Sequence, residues 1–120
     1  MCLSLDCWGP VFWTTLHVIA HTRPIQLSEP EQSELLQLLV LIGKHLPCPI
    51  CRQHFLTFLE QRAMSPALST RASVVALLND AHNDVNRRRA KRVFTLGEHY
   101  RAFHAPDNRD HVARIVPQVA

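Results

Sequence analysis

Apolar positions recur at helical spacing in five stretches of this chain, and nowhere do they alternate with polar ones over a strand's length. The first stretch opens at Trp8-Gly9-Pro10 and runs to about His21. Pro10 is expected in its first turn, where a missing N–H costs little. Val11, Leu16, Val18 and Ile19 are its apolar positions, with Phe12 and Trp13 beside them, and Arg23-Pro24 ends it. Ser28-Glu29-Pro30-Glu31 reads as a capping box for a second helix reaching about His45. Leu35, Leu36, Leu38, Leu39, Val40, Leu41 and Ile42 go nearly all the way round that helix. A helix so apolar is covered on more than one side. In so small a domain this predicts a helix shared between the core and a dimer interface. A third helix follows Cys48 and ends before Met64-Ser65-Pro66. Ser69-Thr70 caps a fourth, from about Arg71 to Arg89, with Val74, Val75, Leu77, Leu78, Ala81 and Val85 as its apolar stripe. Thr95-Leu96-Gly97-Glu98 is a second capping box, opening a short fifth helix through about Phe103. Beyond His104 the chain turns polar and is broken by proline, which predicts one domain over residues 1–104 and a loose tail over 105–120. The fold class expected is all-α, a small helical bundle.

Composition narrows the class without changing it. The 120 residues suffice for one domain, and 47% apolar against 19% charged is an ordinary globular balance. No apolar run is long enough to span a membrane, and the first residues lack the basic and apolar regions of a secretory signal. No membrane association is therefore expected. The net charge of +3 allows an anionic cofactor but falls short of a nucleic-acid footprint. Four cysteines without a signal point away from a disulfide scaffold and toward a catalytic, redox or metal role.

The stretch Leu46-Pro47-Cys48-Pro49-Ile50-Cys51-Arg52-Gln53-His54-Phe55 concentrates that chemistry. Cys48 falls at or just before a helix N-terminus, where unpaired N–H groups and the helix dipole favour an anion. Only the thiolate attacks a disulfide, so the setting suits redox exchange. On these residues alone a redox disulfide, half of a zinc site and a pair of buried thiols all remain open. Three further constellations stand beside it. Trp13 and His17 share a helix face after Gly9, which suits gripping a flat aromatic ligand or an ordinary aromatic core. His82, Asn83 and Asn86 cluster mid-helix although they are poor helix formers, suiting a polar ligand edge or a solvated face. The run Arg87 to Arg92 suits phosphates or a charged turn. Asp80, Asp84 and Glu98 nearby weaken a nucleic-acid role.

In this order and at these separations, W-G-P-x-x-W-x-x-L-H, P-C-x-x-C-x-x-H-F and H-N-x-V-N followed by a lysine resemble the Erv/ALR family of FAD-linked sulfhydryl oxidases. The resemblance spans about residues 8 to 94. It implies an orthogonal four-helix bundle with a short fifth helix, holding FAD non-covalently and pairing as a homodimer. It implies electron flow from dithiols of protein substrates, directly or through a relay thiol protein, to Cys48–Cys51, then FAD, then dioxygen, with hydrogen peroxide as product. By matching position, Cys51 lies against the flavin and Cys48 exchanges with substrate. Trp8, Gly9, Trp13, His17 and His54 would line the FAD site. His82, Asn83, Val85 and Asn86 belong to the motif that would hold the adenine and ribose, and Lys91 is its following lysine. The chain departs from the family at Leu77, where an aromatic residue is usual, and at Arg23, where tyrosine is common. It also lacks cysteines for a long-range structural disulfide. A compact chain of this kind is similar to the small viral members, which implies the host cytoplasm or the virion. Cys2 and Cys7 could be a shuttle pair, an intersubunit bridge or spare thiols, and spare thiols are the expectation. The competing class is a non-enzymatic zinc module using Cys48, Cys51 and His54.

Overall fold

The computed structural model describes residues 3–104. Among these it contains six helices and no strand: α1 (Leu5–His21), α2 (Glu29–Lys44), α3 (Pro49–Arg62), α4 (Ser65–Leu68), α5 (Arg71–Arg88) and α6 (Leu96–His104). The all-α class and the five expected helices are present. The added piece is α4, a single turn where a simple break was expected. The tail over 105–120 and Cys2 lie outside the described residues.

Helix starts follow local chemistry. The Ser28 side chain accepts from the Glu31 N–H while Glu31 accepts from the Ser28 N–H, so the first capping box forms as read. The Glu98 N–H donates to Thr95 Oγ1 and the Thr95 N–H donates to Glu98 Oε1, completing the second. Thr70 and Ser73 exchange the same pair of bonds ahead of α5. One start differs from expectation. α1 begins at Leu5, so Pro10 lies inside the helix rather than in its first turn. The Cys7 and Trp8 N–H groups both bond the Ser4 carbonyl, which adds a turn upstream of the proline. That turn is held despite the hydrogen bond Pro10 cannot donate.

The chain divides into two compact units. The second unit, Ile19–Leu77, holds α2, α3 and α4. Leu35 and Leu39 of α2 and Phe55 and Leu59 of α3 are buried. A Cβ at Gly43 would lie 2.8 Å from Phe55 Cδ1 and 2.9 Å from Leu56 Cδ2. Glycine there lets α2 and α3 approach, which offsets its poor helix propensity. An isolated antiparallel bridge between Gln26 and Thr70 ties the segment before α2 to the start of α5. The first unit holds the described residues through Val18 and from Leu78 to His104. It buries Trp13, Leu16 and His17 of α1, a stripe of α5 from Leu78 to Asn86 interrupted by half-buried Asp80, Asp84 and Val85, and His99 and Ala102 of α6. Val11 and Val18, apolar in the sequence pattern, are exposed instead.

Candidate functional site

Cys48 and Cys51 form a disulfide across the first turn of α3, with Cα atoms 5.1 Å apart. Cys48 is the N-cap in extended conformation, and its sulfur accepts the Cys51 N–H at 3.2 Å. Pro49 at the first helical position pre-sets φ, and the Arg52 N–H closes the first bond to the Cys48 carbonyl. Both cysteines are half-buried, as is His54 one turn on. This geometry answers the alternatives left open by the sequence. The sulfurs are bonded to each other, so neither is a free thiol nor a zinc ligand. Among the described residues no group of three or more His, Cys, Asp or Glu could hold a metal ion. The zinc reading is withdrawn on those grounds. Spare thiols are also overturned at Cys7, which is disulfide-bonded.

In the first unit the structure gathers Trp13, His17 and His82, predicted from two separate motifs. The Trp13 and His82 rings stack with centroids 4.2 Å apart and planes within 4°. His17 Nε2 and His82 Nδ1 share a hydrogen bond of 2.8 Å. Two residues missed by the motif reading complete the cluster. His99 of α6 packs edge-on against His17 at 4.5 Å, and Phe103 lies 5.5 Å from the same ring. Their spacing of four on one helical face was visible in the sequence. What they face was not.

Asn83 serves the fold directly. Its Nδ2 donates to the Phe94 carbonyl at 2.7 Å, and its Oδ1 accepts the Phe94 N–H at 3.0 Å. Asn86 Nδ2 also donates to Asn83 Oδ1. Asn86 is 1% exposed, yet its Oδ1 accepts nothing from the described residues. A buried unpaired acceptor is costly and calls for a donor. Arg89 offers the converse. Its Nη2 donates to Asp6, while its Nη1 is buried with no acceptor among the described residues. The chain turns sharply here: Ala90 adopts φ 54°, and the Lys91 N–H bonds the Asn86 carbonyl. Gly9 is buried, Trp8 and Val85 are half-buried, and the Lys91 side chain is exposed. An orphan acceptor, an orphan guanidinium donor and flat ring faces in one unit fit the ribose or adenine edge, the phosphates and the ring system of FAD. The residues present therefore fit the cofactor that the motifs imply.

Comparison with known proteins agrees. The family model described as the Erv1 / Alr family matches residues 10–104. The chain is 30% identical over 86 residues to the mitochondrial FAD-linked sulfhydryl oxidase erv1 of Schizosaccharomyces pombe, covering 72% of this chain and 47% of that protein. It thus spans about half the length of that relative. It is 29% identical over 92 residues to the FAD-linked sulfhydryl oxidase of African swine fever virus, covering 77% of this chain and 76% of that one. The crystal structure of the yeast Erv1 core superposes with a TM-score of 0.79 at 23% identity, over 87% of this chain and 86% of that one, which establishes the fold.

Proposed function

We propose a function for this chain from one premise: it belongs to the Erv1/Alr family. Residues 1–104 act as one FAD-linked sulfhydryl oxidase domain that makes disulfides in protein substrates and hands the electrons to dioxygen. The observation that carries the reading is the Cys48–Cys51 disulfide capping α3, within a family whose named relatives are FAD-linked sulfhydryl oxidases.

A substrate thiolate attacks Cys48 Sγ; a mixed disulfide forms and Cys51 leaves as a thiolate. Cys51 lies in the first turn of α3, where the helix dipole favours that charge. The second substrate thiol attacks the mixed disulfide, so the substrate departs oxidised and the pair holds two electrons. FAD, when bound, supplies the two-electron acceptor for the reduced pair and its reoxidation by dioxygen to give hydrogen peroxide. Asn86 Oδ1 would accept from the ribose or adenine, and Arg89 Nη1 with Lys91 would bind phosphate oxygens. Trp13, His17 and His82 would supply the flat wall, with Trp8, Gly9 and Val85 beside it. Asn83 holds the backbone that follows. His54 keeps the flavin-side role its motif implies. Partners are dithiol proteins, reached directly or through a relay thiol protein. We read the chain as a homodimer that pairs through α2; the exposure of Leu38 and Leu41, at 40% and 55%, supports this reading. The site of action is the cytoplasm, or the host cytoplasm or virion if the chain is viral.

A visible spectrum of the purified protein, before and after dithiothreitol in air, tests the reading. A flavin band that bleaches and returns as oxygen is consumed supports it. Cys51→Ala should keep the flavin band and lose oxygen uptake. A colourless wild type that neither takes up added FAD nor consumes oxygen would sink it.

A further inference from the structure

We infer that the surface around Cys48–Cys51 is built to dock protein segments whose two thiols are flanked by acidic and apolar residues. The inference rests on the oxidase reading and adds the substrate class. Carboxylates of the α2–α3 pair are kept away from the turn that carries Cys48. The second unit contains four carboxylates, Glu29, Glu31, Glu34 and Glu60. None lies between residues 35 and 59, whereas Lys44 and Arg52 both do; Arg62 is the cation beside Glu60. Glu34 is about 15 Å along α2 from Lys44, and Glu60 is about 12 Å along α3 from Arg52, at 1.5 Å per residue. At physiological salt the screening length is about 8 Å, so those carboxylates do not neutralise the cationic end. Lys44 and His45 are exposed, and Arg52 is half-buried with its Nε lacking a partner among the described residues.

The apolar part is as specific. Ile50, between the two cysteines, is 60% exposed, and Pro47 and Pro49 beside Cys48 are exposed as well. The prolines are conformationally fixed and present no N–H, so an apolar partner covers them with little ordering or desolvation penalty. Acidic neighbours hold a substrate thiol protonated, and a cationic docking face offsets that on contact, raising the thiolate fraction where it must attack. The exchange balances. Two substrate thiols become one disulfide, and their two hydrogens and two electrons reduce Cys48–Cys51 to a dithiol.

The test compares two peptides with the same C-x-x-C centre, one flanked by Glu and Phe, the other by Lys and Ser. Oxygen uptake by the FAD-loaded full chain gives kcat/KM for each, divided by the same protein's rate with dithiothreitol. The acidic peptide should be favoured by about 10-fold at low salt, and the advantage should shrink to about 2-fold at high salt. Lys44→Glu should cut the preference by about 5-fold, and Ile50→Ser should lower the acidic peptide's rate by about 3-fold. Lys44→Gln checks the charge with a milder change and should fall between. Equal rates for the two peptides, or a preference unmoved by salt and by both Lys44 variants, overturns the inference and leaves the oxidase standing. A protein that cannot oxidise dithiothreitol overturns both.

Discussion

Asn83 shows how a residue of the motif proposed to hold the cofactor can also hold the fold. Its amide joins α5 to the Phe94 backbone through two hydrogen bonds and accepts a third from Asn86. Truncation leaves the Phe94 N–H and carbonyl unsatisfied in a buried setting. Asn83→Ala should therefore destabilise the protein by about 3 kcal/mol in urea unfolding, at about 1–3 kcal/mol per orphaned group. Asn83→Asp keeps the acceptor and should lose less. A loss below about 1 kcal/mol for the alanine variant would mean that water replaces these bonds. The motif was legible in the sequence because three poor helix formers cluster mid-helix. That Asn83 turns to the backbone while Asn86 keeps an acceptor unfilled among the described residues was not legible, because periodicity gives a face and not a partner.

At the scale of elements, the helix boundaries were set by bonds spanning three or four residues, and those were readable. Two of them also titrate. The Ser28 hydroxyl, then its backbone N–H, holds Glu31 below the ordinary carboxylate value of 4.5. The Thr95 N–H, then its hydroxyl and Arg92, does the same for Glu98. A lowered folded value means stability that is present above about pH 4.5 and is lost as pH falls through the folded value. The melting-temperature gap between wild type and the Glu31→Gln, Glu98→Gln double variant should thus be open at pH 7 and narrow below pH 4.5. A gap constant down to pH 3 would assign the caps to neutral hydrogen bonding alone. Two of the three helical glycines, Gly43 and Gly97, separate packing from propensity. Gly97 has no atom nearer than 3.6 Å to an added Cβ, so Gly97→Ala should stabilise by about 0.5–1 kcal/mol. Gly43→Ala meets the Phe55 ring and should cost about 1–2 kcal/mol, measured by chemical denaturation. Equal effects at the two sites would show that Phe55 yields freely.

For the whole molecule, the feature to explain is the apolar surface that α2 leaves uncovered. Leu35, Leu39 and Gly43 are buried, while Leu38 and Leu41 stay exposed. If a second copy covers that face, Leu38→Glu combined with Leu41→Glu should convert a dimer to a monomer in light scattering without loss of helical signal. A wild type that is monomeric at micromolar concentration would remove the dimer. The sequence by itself determined the helices, their caps, the placing of Cys48 at a helix start and the order of the motifs. Each of these rests on contacts within about four residues or on periodicity. It missed α4 and set Pro10 one turn too early in its helix, because tertiary packing decides whether a marginal turn forms. Only the tertiary structure decided that Trp13 stacks on His82, that His99 and Phe103 join them, and which leucines of α2 face outward. Those pairings join residues far apart in the chain, and nothing local in the sequence specifies them.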